Sequence, residues 1–68
     1  MPEALGNRLK ERRTELGWTQ AELAERVGVS RKTVNTVENG VFVPSTLLAL
    51  KLAAVLERPV EQLFWVEP

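Results

Sequence analysis

Residues 20–39, QAELAERVGVSRKTVNTVEN, carry a spacing that few local structures can accommodate. Gln20 opens a segment of helical periodicity, Ala24 follows four residues on, Gly28 four later, and Val34 and Val37 then lie three apart. The pattern predicts two short helices joined by a tight turn. Ala24 is small where a second helix must cross close above it. Gly28 accepts backbone angles that cost any residue bearing a Cβ. Thr19-Gln20-Ala21-Glu22 reads as a capping box, with the Thr19 hydroxyl and the Glu22 carboxylate each satisfying a free N–H of the first turn. The first helix is expected over about 20–27, and the second over about 31–38, with Ser30 as N-cap and Gly40 past its end.

The rest of the chain is punctuated in the same way. Residues 4–16, with Leu5, Leu9 and Leu16 near one face, predict a helix ended by Gly17. Residues 40–44, GVFVP, predict a loop, and Ser45 then caps a helix over about 46–56. Pro59 opens a short helix over about 60–64. No strand is expected in residues 1–60. The whole chain, 1–68, reads as one all-α domain of five helices.

Composition removes several classes of function. With 68 residues the chain has room for one small core, a size that commonly gains stability by pairing with a copy of itself. It has no Cys and no His, which excludes a disulfide framework and thiolate or imidazole metal sites, so no metal and no cofactor is expected. No segment approaches the ~20 apolar residues of a membrane span, and no signal-peptide pattern is present. A cytoplasmic setting without membrane contact is the expectation. Ser30 and Ser45 fall at helix caps without a base nearby, and the glutamates are scattered, so the chain does not read as an enzyme. Nine basic and nine acidic residues give zero net charge and a pI of about 6.2. Seven basic and six acidic residues lie in 1–40, and two and three beyond. A nucleic-acid binder usually carries a basic excess; phosphate neutralisation is local, however, and the placement of charge on one face matters more than its sum.

On a helical wheel at about 100° per residue, Lys32, Asn35, Thr36 and Asn39 fall opposite Val34, with Arg31 on a flank near the helix start. Arg, Lys, Asn and Thr on one outward face suit base edges and phosphates, although a solvated helix face is also polar. In TQAELA, ENG and the spacing between them, the chain resembles the Cro/phage-repressor (XRE) helix-turn-helix family over about residues 5–64. PSxxLALKxA (Pro44 to Ala53) and the aromatic tail after Leu63-Phe64 are similar to the short, single-domain dimeric regulators of the cytolysin-operon-repressor type. The resemblance implies a compact, lambda-repressor-like domain that binds double-stranded DNA. It implies a phosphate contact at Gln20, with Ser30 and Asn39 as further phosphate positions. The family's base-reading positions fall on Arg31, Lys32 and Thr36, with Thr33 and Asn35 as helpers. Arg13 and Glu38 match a structural ion pair. Many relatives carry a basic residue directly after the ENG triplet; this chain has Val41, then Phe42 and Val43, and so lacks one phosphate contact there.

Helix 4, TLLALKLAAVL, is apolar almost all round, which implies burial on more than one side. Its inward face is expected to hold Thr46, Ala49, Leu50, Ala53 and Leu56, with Leu52 nearby. Leu47, Leu48, Val55, Leu63, Trp65 and Val66 are then expected to form a homodimer interface within the region 45–68, with the tail as a short strand against its symmetry mate. The leading expectation is a sequence-specific transcriptional regulator, a repressor, acting as a dimer on a near-palindromic operator with no small-molecule ligand. The alternative is an antitoxin-like or adaptor module that uses the apolar surface of helix 4 and the C-terminus to bind a protein.

Overall fold

The computed structural model describes residues 3–68. Its elements run β1 (Ala4–Asn7), α1 (Leu9–Glu15), α2 (Gln20–Val27), α3 (Arg31–Glu38), α4 (Thr46–Leu56), α5 (Val60–Leu63) and β2 (Phe64–Glu67). The fold is mostly helical, with five helices as expected and a small two-stranded sheet in addition.

The local signals at the joints act as their chemistry requires. Thr19 and Glu22 form both halves of a capping box: the Glu22 N–H donates to Thr19 Oγ1 at 3.1 Å and the Thr19 N–H to Glu22 Oε1 at 3.0 Å. The hydrogen bond from the Thr19 backbone holds the Glu22 carboxyl below its ordinary value. Ser30 and Ser45 cap α3 and α4 by accepting from the N–H groups of Thr33 and Leu48. Gly28 closes α2 at φ 86°, the left-handed conformation that a Cβ disfavours. Ala24 is buried beneath the crossing of α2 and α3, and Leu9, Leu23, Val27, Val34, Val37, Leu52, Leu56, Leu63 and Phe64 complete the core.

Three expectations are corrected. Residues 4–7 form a strand, not the first turn of a helix. Asn7 breaks the helical pattern by accepting the Leu9 N–H on its own side chain at 3.1 Å, which starts α1 two residues beyond it. The C-terminal strand finds its partner within the same chain: β1 and β2 run antiparallel, pairing Ala4 with Glu67, Leu5 with Val66, Gly6 with Trp65 and Asn7 with Phe64. The Arg8 N–H continues the ladder to the Leu63 carbonyl at 3.0 Å, and α5 ends at Leu63 where this strand begins. α4, finally, is rotated from its expected setting. Leu52 and Leu56 are buried, with Leu48, Ala49, Ala53 and Val55 packed partly against the core, whereas Thr46 and Leu50 are exposed. A helix with apolar residues on every side carries no stripe to fix its rotation, so packing against α2 and α5 sets it.

These shifts revise the interface residues. Leu63 is 1% exposed and belongs to the core of its own chain, so it is not available to a second one. Leu48 and Val55 are partly covered by the same core. Trp65 lies flat across Gly6, the residue opposite it in the sheet, and Arg8 stacks over its ring at 4.8 Å from the centroid. An aromatic side chain laid over a cross-strand glycine covers backbone that the glycine would leave bare. Leu47 and Val66 remain exposed.

A Cβ at Gly6 would overlap the indole Nε1 and Cε2 of Trp65 and approach Glu67 Cδ to 2.9 Å. Gly6→Ala is expected to displace the ring and destabilise the fold by about 1–3 kcal/mol. Urea unfolding followed by tryptophan fluorescence measures this; an unchanged midpoint would mean that the indole moves freely.

Candidate nucleic-acid interface

The two ends of α3 are held by different devices. At its start Ser30 Oγ accepts from the Thr33 N–H at 3.1 Å and exchanges a hydrogen bond with Thr33 Oγ1 at 2.9 Å. Both hydroxyls are thus engaged in building the turn. At its end Asn7 Nδ2, thirty residues earlier in the chain, donates to the carbonyls of Val37 at 3.1 Å and Glu38 at 3.4 Å. The Val37 carbonyl also accepts from the Gly40 N–H at 3.1 Å, and with Asn7 on both carbonyls the N-terminal strand caps α3 from outside. Nothing local in the sequence marks Asn7 for this task, because the contact exists only once β1 has docked.

Glu38 turns inward. Arg13 donates to it twice, Nε to Oε2 at 2.7 Å and Nη2 to Oε1 at 3.1 Å, and a third donor, Arg13 Nη1, reaches the Trp18 carbonyl at 2.8 Å. The side chain of Glu38 is only 2% exposed and that of Arg13 12%. Hydrogen bonding to Glu38 raises the Arg13 pKa above its already high ordinary value, so the guanidinium stays charged. Gln20 Nε2 adds a further donor to Glu38 Oε1 at 3.1 Å.

Along the outer side, Gln20, Arg31, Lys32 and Asn35 line one shallow, open cleft between the starts of α2 and α3. Arg31, Lys32, Asn35 and Asn39 are exposed, and Thr33 and Thr36 half-buried. Among the described residues the ion pairs are Arg12–Glu15 and Arg13–Glu38, so Arg31 and Lys32 face solvent without an acidic partner. The Thr36 hydroxyl donates back to its own helix, with the Lys32 and Thr33 carbonyls both at 3.0 Å. Asn39 sits at the C-cap of α3 and donates to Asn35 Oδ1 at 3.3 Å. Val41, where a basic residue was missed in the sequence, is 77% exposed in the loop that follows. Of the expected base and phosphate positions, Gln20, Arg31, Lys32 and Asn35 line this cleft, whereas Thr33 lies against the core beside Val29, Val34 and Leu48. Ser30, Thr33, Thr36, Gln20, Asn35 and Asn39 all have part of their hydrogen-bonding capacity occupied within the fold. Among the described residues no cluster of acidic side chains could hold a metal, and no helix is long and apolar enough to cross a membrane.

Comparison with known proteins gives the surface a context. A family model described as helix-turn-helix matches residues 9–63. An uncharacterized HTH-type transcriptional regulator of Bacillus subtilis (strain 168), YgzD, is 46% identical over 61 residues, which cover 90% of this chain and 92% of the relative. The crystal structure of the restriction-modification controller protein C.AhdI from Aeromonas hydrophila superposes with a TM-score of 0.75 at 37% identity, over 79% of this chain and 82% of that one. Antitoxin HipB of Escherichia coli O6:H1 is 36% identical over 56 residues, 82% of this chain and 60% of the antitoxin.

Arg13→Met is expected to destabilise the fold by about 3–5 kcal/mol, because the Glu38 carboxylate is left buried without its cation. The double variant Arg13→Met/Glu38→Leu should recover a large part of that loss, since no charge then remains inside. Chemical denaturation of both variants decides the matter: a single variant no weaker than the double would refute the pairing as the source.

Proposed function

We propose, from the premise that this chain belongs to the helix-turn-helix family of DNA-binding transcriptional regulators, that it is a repressor gripping a near-palindromic operator as a homodimer. The observation that carries this reading is the exposed edge of α3, where Arg31, Lys32 and Asn35 face solvent beside Gln20 with no acidic partner for either cation. Arg31 stands at the first turn of α3, where its fork can span guanine O6 and N7. Lys32 and Thr36 extend the contact along the groove, a threonine methyl suiting a thymine C5 group, with Thr33 and Asn35 as helpers. Gln20, Ser30 and Asn39 flank this edge and fit phosphates on either side, setting register without reading sequence.

One recognition helix buries too little surface for useful specificity, and two of them one helical turn apart, roughly 34 Å, read two half-sites together. The apolar surface left over by folding supports such pairing. Leu5, Val43, Pro44, Ala49, Leu50 and Val60 line an open apolar groove, and Leu47 and Val66 are also exposed. This surface replaces the expected contribution of Leu63. Occupation of an operator by the dimer would close the promoter to polymerase. A controlling role is in keeping with the restriction-modification controller protein that shares the fold at 37% identity. The same apolar groove also supports a second reading, that of an antitoxin-like module, to which the 36% identity with an antitoxin lends weight. Stable self-pairing of the isolated chain would speak against it.

Two outcomes test the proposal. Arg31→Ala should lower discrimination between operator and random DNA by about 1–3 kcal/mol in an anisotropy titration at fixed salt; unchanged operator preference would remove Arg31 from the reading surface. Leu50→Asp should turn a dimer into a monomer by sedimentation without loss of helicity, because a charge in the groove opposes burial there. A dimer that survives the substitution would move the interface elsewhere.

A further inference from the structure

The Glu38 carboxylate does more than neutralise Arg13. A carboxylate paired with a guanidinium is ionised and can only accept hydrogen bonds. An amide laid against it therefore has one permitted orientation, NH2 inward and carbonyl outward. Gln20 takes that orientation, donating through Nε2 to Glu38 Oε1 at 3.1 Å. Its carbonyl then faces Asn35, whose Nδ2 lies 3.4 Å from Gln20 Oε1. A carbonyl cannot donate, so Asn35 must turn its NH2 toward Gln20 and its oxygen the other way. There Asn39 Nδ2 meets Asn35 Oδ1 at 3.3 Å. Amide ends are told apart by such networks, and here the whole series follows from one buried charge. Polarity set at the inner end of α3 thus passes through three side-chain amides to its exposed edge.

We propose that Glu38 is a positioning residue for base reading: through Gln20 it fixes the Asn35 amide so that one N–H and one oxygen lone pair remain free on the exposed side. Adenine presents the matching pair in the major groove, accepting at N7 and donating from its N6 amino group. The structure thereby gives Asn35 a preference for adenine and makes that preference depend on a carboxylate that touches no DNA. The inference rests on α3 being the reading helix, and on Asn35 sharing in that reading.

The test uses the full chain and an operator selected from a random duplex pool, with each base pair then replaced in turn. Asn35→Ala identifies its base pair by a loss of about tenfold in discrimination against the wrong base. Gln20→Met keeps the length of the side chain and removes the amide. It is expected to weaken binding to every duplex evenly, through loss of the second Nε2 hydrogen, the one Glu38 leaves for a phosphate, and in addition to reduce discrimination several-fold at the Asn35 base pair alone. In the Asn35→Ala background it should reduce discrimination no further. In the DNA-free protein the side-chain amide NMR signals of Asn35 should shift in Gln20→Met and in Glu38→Gln, a readout that a purely structural role for Glu38 would not move through Gln20. A uniform weakening by Gln20→Met, with discrimination at the Asn35 base pair intact, overturns the inference and leaves α3 as the reading helix. Discrimination unaltered at every position in Asn35→Ala overturns it together with the base contact of Asn35, whereas the wider reading then stands or falls with Arg31→Ala.

Discussion

Glu38 is the last residue of α3, where the partial negative charge of the helix end makes a carboxylate unwelcome. It is also nearly sealed from water, which makes an unpaired carboxylate costly. Arg13 answers both problems from α1, with two hydrogen bonds to the carboxylate and one to the Trp18 carbonyl at the start of the next loop. Asn7 adds a third tie by donating to the last carbonyls of the same helix. The orientation of α3 is therefore set less by α3 itself than by β1 and α1, which lie outside the two-helix unit. A helix of eight residues that must present a defined edge to a ligand needs such external fixing, because a segment this short has little helical stability of its own.

The charge arrangement also bears on a chain of zero net charge binding a polyanion. What counts is where cations remain unmatched. Arg13 is consumed inside the fold, and Arg12 lies against Glu15 and the Leu56 carbonyl. Glu22 is turned back onto its own capping box, and Glu38 is screened by Arg13. The edge formed by Gln20, Arg31, Lys32 and Asn35 is thus left with cations and hydrogen-bonding amides and no free carboxylate. Acidic groups elsewhere on the surface lower the general attraction to DNA without touching the site, which favours contacts at fixed positions over diffuse electrostatic binding.

How much was legible in the sequence follows from the range of each interaction. The helices around Gly28 were readable to the residue because capping box, glycine turn and Ser30 cap are all decided within four residues. The ion pair between Arg13 and Glu38 was reached through family resemblance and through the wheel position of Glu38, and the outward face of α3 through the period of Val34 and Val37. β1 was not legible. Leu5 and Leu9 are four apart, so the apolar period suits a helix, and the facts that oppose it, the Asn7 side chain at Leu9 N and the indole over Gly6, need a partner strand some sixty residues away. The rotation of α4 failed for the opposite reason: apolar residues on every side give no preferred face, and only Leu52 and Leu56 reach the centre. The Gln20–Asn35 relay was hidden because polar residues on a wet face carry no sign of which one is oriented by which.

The sheet that the sequence concealed also changes what the rest of the surface is free to do. By pairing β2 with β1 of its own chain, the fold gives the tail an antiparallel partner on one edge. It draws Leu63 and Phe64 into the core and covers Trp65 with Arg8. Part of the apolar area still uncovered lies around Leu5, Val43, Leu50 and Val60, with Val66 exposed on the neighbouring strand. Leu5 belongs to the same strand as Asn7, and Asn7 holds the end of α3. A surface that buries Leu5 against a second chain would therefore bear on the strand that also fixes α3. Any pairing through Leu5 and the placement of α3 would then be linked through four residues of β1, which gives this short strand more influence over the fold than its length suggests.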